Sequence, residues 1–157
     1  MTSVYLASPL AYALPGRIFQ RRTLIPALVA NDLDVRDPWH DDDGRLDAAL
    51  GSHGEHGGRA YAALAASMAA RNAELLRGSD AVLAVLDGAA PDAGVATEVG
   101  AASALGIPVV GWRSDIRAGA HVIPAALRHA IETSGGSLHA TLGDSVGALV
   151  ALSARLR

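Results

Sequence analysis

The chain has 157 residues, a length that fits one domain with a core large enough to fold without disulfides or a structural metal. The absence of cysteine excludes thiol catalysis and thiolate metal sites, and a formal net charge of -3 gives no electrostatic reason to expect a nucleic acid polymer as partner. No apolar run approaches the roughly 20 residues of a membrane span, and the first residues lack the pattern of a signal peptide. We therefore expect a cytoplasmic protein that binds small molecules or protein surfaces and no membrane.

Short segments rich in β-branched and aliphatic residues alternate along the chain with longer Ala- and Leu-rich segments of helical period. The predicted strands lie at 3–7, 33–37, 80–87, 107–112 and 137–140, and the predicted helices at 17–30, 59–77, 94–105, about 121–133 and 143–156. This alternation predicts an α/β fold: a single doubly wound domain over 1–157, of the flavodoxin or Rossmann type, whose five-stranded parallel sheet carries helices on both faces. The expected strand order, 2-1-3-4-5, places a ligand crevice at the carboxyl ends of the first and third strands.

The first predicted strand runs into a Ser-Pro turn in VYLASPL, residues 4–10. A proline stop after a strand is by itself only structural. Because this turn lies at the predicted crevice, we expect the backbone amides after Ala7 and the Ser8 hydroxyl to contact a sugar or a phosphate group.

Residues 37–58 are rich in Asp, His and Gly and show no sustained period. We expect a long loop on the same rim as the crevice, a lid that carries Trp39. No metal site is expected, because rigid elements do not hold the possible ligands of this loop, His40, Asp41, Asp42, Asp43, His53 and His56. The chain also lacks GxGxxG after the first strand and the GxxxxGK phosphate loop, and we expect no cofactor.

The third predicted strand ends at Asp87, and a helix of mostly small and apolar residues is predicted after it. One carboxylate, Glu98, interrupts these residues. An unpaired carboxylate beside a buried stripe costs several kcal/mol or stays protonated, and no Arg or Lys lies between 78 and 112. We therefore interpret Glu98 as a functional residue. The buried stripe beside it is predicted to consist of Val95, Val99, Ala102 and Leu105.

Asp92 stands at the predicted N-cap of the same helix, six residues before Glu98. The alternative interpretation is a capping aspartate followed by a solvent-facing glutamate. Space for a ligand is favoured instead by the small neighbours of Glu98, which are Gly94, Ala96, Gly100 and Ala101.

Four segments resemble the nucleoside 2-deoxyribosyltransferase family, and together they span nearly the whole chain. They are VYLASPL (4–10), DVRDPW (34–39), the central stretch from RNAELLRGSD to RSDIR (71–117) and IETSGGSL (131–138). The core of the resemblance is the D-x-G-x-x-x-E pattern of Asp92, Gly94 and Glu98, which follows a strand ending in LDG at Asp87. We predict that Asp87 and Gly94 contact the substrate.

The resemblance implies a retaining exchange in which Glu98 attacks the anomeric carbon of a 2-deoxynucleoside, expels the base, and holds the sugar until a second base takes it. It also implies that Asp92 contacts the sugar hydroxyls and that Tyr5 orients the glutamate. Trp39 is then the candidate that stacks on the base. Asn72 occupies the place of an acidic family residue that helps to protonate the leaving base, and an amide cannot ionise as a general acid.

Two further positions depart from the family pattern. Ala101 stands in place of a larger residue, which widens the expected pocket. Pro124 lies near the place where many members supply an asparagine to a neighbouring subunit, and His121 is the candidate substitute. The resemblance implies a homo-oligomer, a dimer or larger.

Three functions remain open, each with a nucleoside or nucleotide as ligand. Base exchange, which also needs a free nucleobase, is favoured. Hydrolysis of the N-glycosidic bond of nucleosides or nucleoside 5'-monophosphates is the alternative, and it depends on water access and on donors near Ser8 and Arg113 for a phosphate. A non-catalytic nucleotide-sensing module is the third, motivated by Asn72 and by the altered late segment.

Overall fold

The computed structural model describes residues 1–40, 55–115 and 123–156, and within 55–61 the backbone alone. In these ranges five strands form one parallel sheet in the order β2-β1-β3-β4-β5. The predicted α/β class and strand order are confirmed. The strands are β1 (Thr2–Ala7), β2 (Leu33–Arg36), β3 (Ala81–Val85), β4 (Val109–Trp112) and β5 (Ser137–His139).

Helices fill the connections between these strands, as parallel pairing requires. The loop predicted over 37–58 is wrong for 55–58, which are helical, and its part at 41–54 lies outside the described residues.

The helix predicted at 17–30 begins earlier and is interrupted by a π-turn. In chain order the helices are a 3₁₀ turn (Leu10–Tyr12), α1 (Leu14–Phe19), the π-turn (Gln20–Leu24), α2 (Ile25–Val29), α3 (Glu55–Arg77), α4 (Ala93–Ala104), α5 (Ala125–Thr133) and α6 (Leu142–Arg155).

The π-turn accompanies a proline inside the first long helix. Pro26 has no N–H, and in a regular helix its ring would clash with the carbonyl of Arg22, four residues earlier. Here the helix is wider, and the N–H of Ile25 donates to the carbonyl of Gln20, five residues back. Gln20, the first residue of this wider turn, faces the protein interior and is only 2% exposed.

Alternating residues of the central strands supply two separate cores, because successive side chains of a strand point to opposite faces of the sheet. Tyr5 and Val82 lie in the core on one face, together with Val99 of α4. Leu6 and Leu83 lie in the core on the other face, which α2 and α6 cover. Tyr5 therefore points from β1 toward the helix that carries Glu98.

The buried stripe predicted for α4 is confirmed at three of its four positions, Val95, Val99 and Ala102. It is wrong at Leu105, which is 53% exposed. The helix ends at Ala104, and Gly106, with a φ of 71°, turns the chain so that Ile107 enters the core instead. Among the described residues, no helix has both the length and the apolar character that a membrane crossing demands.

The close approach of Gly136 to β4 gives a test of this packing. A methyl group at Gly136 would overlap the backbone of Val109, whereas one at Gly147, on the exposed side of α6, would meet nothing within 4 Å. We expect Gly136→Ala to lower the free energy of unfolding by about 1–3 kcal/mol or more. Gly147→Ala should raise it by up to about 1 kcal/mol, because alanine favours helix. Urea unfolding measures both, and a Gly136→Ala variant as stable as the parent would contradict the packing.

Candidate active site

Two adjoining cavities lie at the carboxyl ends of β1 and β3. The small chamber, about 50 Å³, lies between the end of β1 and the start of α4. The large cavity, about 460 Å³, runs between α3 and α4, and its volume is in the range of ligand pockets. Five residues line both cavities and so mark the place where they join: Tyr12, Trp39, Asn72, Gly94 and Glu98.

A short hydrogen bond anchors Glu98 at this junction. The hydroxyl of Tyr5, which is completely buried, donates to Oε1 of Glu98 over 2.6 Å. Burial, and then the negative charge of Glu98, raise the pKa of the Tyr5 phenol, so this group stays protonated and remains a donor. Tyr5 itself lines neither cavity, so it can affect the junction only through its hydrogen bond to Glu98.

Opposing effects act on the pKa of Glu98 itself. Desolvation in the half-buried site raises this pKa, the hydrogen bond from Tyr5 lowers it, and the nearby charge of Asp92 raises it. The net pKa lies above the ordinary value of a glutamate. Tyr5 therefore favours the ionised form of a carboxylate whose pKa is raised by burial.

Asp92 combines two structural roles. Its Oδ1 accepts the N–H of Val95 over 3.1 Å and caps α4, as the alternative interpretation expected, and the residue also lines the small chamber. The second half of that interpretation, a solvent-facing glutamate, is wrong, because Glu98 is half-buried. The glycine at position 94 leaves room for the capping carboxylate, since a methyl group there would lie only 3.0 Å from Oδ1 of Asp92.

Trp39 and Tyr12 form an aromatic wall across the junction. Their ring centres are 5.0 Å apart, and the rings meet edge to face at 75°. The sequence analysis selected Trp39 but missed Tyr12, which is 62% exposed and follows no periodic pattern. Its position in the segment that follows the first strand, at the predicted crevice, was the signal that could have identified it.

The hydroxyl of Ser8 lines the small chamber but is already engaged. It donates to Oε1 of Gln20 over 2.8 Å and accepts the N–H of Leu10 over 3.2 Å. The hydroxyl proton is therefore used inside the protein, and the expected contact of Ser8 with a sugar or phosphate stays a prediction. Ala7 is completely buried within β1 and lines neither cavity.

Asp87 and Arg113 hold the backbone together and do not line either cavity. The carboxylate of Asp87 accepts the N–H groups of Ser114 and Asp115 over 2.6 and 2.8 Å and the Ser114 hydroxyl over 2.7 Å. The buried guanidinium of Arg113 donates to the carbonyls of Leu86 and Gly88 over 3.0 and 3.1 Å. These contacts are structural, and the predicted roles of Asp87 in substrate binding and of Arg113 in phosphate binding stay predictions.

Of the two late-segment residues named above, the structure describes only Pro124. Pro124 is the exposed N-cap residue of α5 and lines neither cavity. His121 lies outside the described residues.

Comparisons with known proteins agree with this architecture. The solved structures that resemble the chain include a conserved protein from Enterococcus faecalis V583, with 23% identity, a TM-score of 0.74 and 99% of each chain covered. A 2-desoxiribosyltransferase from Leishmania mexicana has 16% identity and a TM-score of 0.65, over 96% of this chain and 98% of that one. A CMP N-glycosidase from Clostridium botulinum has 14% identity and a TM-score of 0.50, over 94% and 97%.

These identities show a shared fold and no more, and no curated protein matches the chain in sequence. A family model supplies the stronger finding. The model described as nucleoside 2-deoxyribosyltransferase matches residues 4–136, which include both strand ends and every described residue at the junction of the two cavities. The chain therefore belongs to the nucleoside 2-deoxyribosyltransferase family.

Proposed function

We propose that the protein transfers a 2-deoxyribosyl group from one nucleobase to another through a covalent intermediate on Glu98. Family membership supports an enzyme of the deoxyribosyltransferase and N-glycosidase type. The proposal of a covalent intermediate rests on the half-buried carboxylate of Glu98, which Tyr5 holds by a hydrogen bond of 2.6 Å at the junction of the two cavities.

The first half of the proposed reaction forms the intermediate. Tyr5 holds Oε1 of Glu98, so Oε2 attacks the anomeric carbon. The new carbon–oxygen bond forms as the carbon–nitrogen bond breaks, and the electron pair leaves with the base, whose nitrogen then takes a proton. Asp92, on the wall of the small chamber, receives the sugar hydroxyls, and the amide of Asn72 hydrogen-bonds the base. Because Asn72 cannot supply a proton as an acid does, that proton comes from water or another group.

The second half of the reaction reverses these steps with another base. A nitrogen of the acceptor base attacks the anomeric carbon, its proton is released, and the bonding pair returns to the Glu98 carboxylate. Two successive displacements retain the configuration at that carbon. The half-buried carboxylate suits both halves. Its raised pKa makes it a stronger nucleophile when it is ionised, and the hydrogen bond from Tyr5 stabilises the negative charge that returns to it when the acceptor base attacks.

Hydrolysis is the second candidate function. The large cavity is partly open to solvent and is lined by Glu98, so water has a path to the same intermediate once the base has left. Among the described residues, no cation lines the small chamber, and Arg77 is the cation on the wall of the large cavity. This distribution of charge favours uncharged nucleosides over nucleoside 5'-monophosphates for either reaction.

Chromatography of the purified protein with 2'-deoxynucleosides tests the proposal. We expect a new deoxynucleoside that appears only when a second free base is added. Free base that accumulates without an acceptor would favour hydrolysis and contradict transfer. No change with any nucleoside or monophosphate would contradict both and leave a binding module.

Glu98→Gln keeps the size of the side chain and its hydrogen bond from Tyr5 but removes the nucleophile. We expect turnover to fall by at least about 10³-fold while the fold is retained. Glu132→Gln is the matched control, because Glu132 is exposed on α5 and pairs with Arg128 over 3.7 Å, away from both cavities. Unchanged turnover in Glu98→Gln would exclude Glu98 as the nucleophile.

Tyr5→Phe removes the hydrogen bond that lowers the pKa of Glu98. The pKa of Glu98 should then rise, and more of the carboxylate is protonated at any given pH. We expect the acidic limb of the profile of kcat/KM against pH to move to higher pH. At neutral pH, kcat/KM should fall about 10- to 100-fold, the range for losing a hydrogen bond to a charged group. An acidic limb that stays in place or moves to lower pH would contradict the role given to Tyr5.

Asn72→Asp places an ionisable group where the family has an acidic residue. If this group reaches the base, it supplies the missing proton, and kcat should rise about tenfold or more below neutral pH. Asn72→Leu is the control, because it removes the hydrogen bond without adding an acid and should lower kcat/KM. Steady-state rates with a purine and a pyrimidine deoxynucleoside measure both variants. An Asn72→Asp variant no faster than the parent would show that residue 72 does not protonate the base.

A further inference from the structure

A chain of buried polar side chains lies behind the small chamber and joins the ends of β1 and β2. The Ser8 hydroxyl donates to Oε1 of Gln20 over 2.8 Å, and Nε2 of Gln20 donates to Oδ1 of Asp37 over 3.1 Å. The same Oδ1 accepts the backbone N–H of Trp39 over 3.0 Å. Ser8, Gln20 and Asp37 are all buried. This Ser8–Gln20–Asp37 chain therefore ends on the backbone of the residue that forms the aromatic wall.

The centre of this chain is an unusual choice for a helix interior. A glutamine with 2% exposure has lost nearly all its contact with water, and its amide must find partners inside the protein. The π-turn begins at Gln20, whose side chain is buried against Ser8 and Asp37. Single π-turns within helices occur frequently at functional sites. Both features bring one amide to Asp37.

We propose that Gln20 is a positioning residue for nucleobase recognition: through Asp37 it fixes the backbone of Trp39, and with it the indole that faces the base. This inference rests on the proposed function of the two cavities. Without the Nε2 donor, the buried carboxylate of Asp37 loses a hydrogen bond and moves toward water. Trp39 then loses its fixed place at the junction, and the contact with Tyr12 loosens.

Gln20→Met and Gln20→Glu remove the donor in two ways. Methionine has a similar size and no amide. The introduced carboxylate still accepts from Ser8 but repels Asp37, so Gln20→Glu should have the larger effect. We expect KM for a deoxynucleoside to rise about three- to tenfold, the equivalent of one aromatic contact, while kcat changes less than about twofold. Quenching of Trp39 fluorescence by acrylamide should increase. A Trp39→Phe variant gives the background from Trp112, which is buried against Phe19.

A second substitution provides the rescue. In the double variant Gln20→Glu with Asp37→Asn, the new amide donates to the new carboxylate, and its oxygen still accepts the N–H of Trp39. We expect KM and quenching to return close to those of the parent. Ser153→Ala is the control for a general loss of stability, because it breaks the buried hydrogen bond between Ser153 and Thr2 at the opposite end of β1. This variant should lower the melting temperature and leave KM unchanged.

The outcomes separate this inference from the proposed function. Raised KM and quenching in Gln20→Glu, both reversed in the double variant, would support the positioning role. Unchanged KM and quenching, a fall in kcat alone, or a rise in KM that Ser153→Ala shares would overturn it. Absence of turnover in the parent would overturn the proposed function, and quenching, which needs no activity, would still decide whether Gln20 fixes Trp39.

Discussion

The hydrogen bond between Tyr5 and Glu98 is the interaction on which the site depends. It joins strand β1, which lies next to the edge strand β2, to helix α4. It also holds the carboxylate of Glu98 at a place where burial disfavours its negative charge. The Tyr5 phenol can donate this hydrogen bond because it is completely buried, and burial raises its pKa so that it stays protonated. A single buried oxygen therefore fixes both the position of the carboxylate and its tendency to carry charge.

The sheet order explains why this pair meets where it does. With β1 beside β3, the turns that follow the two strands face each other and leave the chamber between them. Asp87 and Arg113 link the turn after β3 to the residues that follow β4. Asp87 accepts the N–H groups of Ser114 and Asp115, and Arg113 donates to the carbonyls of Leu86 and Gly88. These polar residues stabilise the rim, while Asp92 and Glu98, a few residues later, face the space it encloses.

The sequence was sufficient for features whose cause is local. The uniformly apolar β3, the cap at Asp92 and the buried stripe around Glu98 follow from spacing along one element. It was insufficient where partners are distant in the chain: Asp87 and Ser114 are 27 residues apart, and only the folded sheet brings them together. The π-turn and the exposure of Leu105 also escaped, because each depends on how a helix end or proline is accommodated in three dimensions.

The π-turn links the length of the first helical segment to the hydrogen bond between Gln20 and Asp37 behind the small chamber. One residue of an α-helix corresponds to a rotation of about 100° and a rise of about 1.5 Å. Removing one residue between the Ser8 turn and Pro26 would turn Gln20 away from Asp37 and bring a neighbour, such as Phe19 or Arg21, toward the same place. With a regular helix at this point, this chain would therefore have to meet Asp37 from a different position in the sequence. The phase of the helix and the identity of the side chain behind the aromatic wall can change in evolution only together.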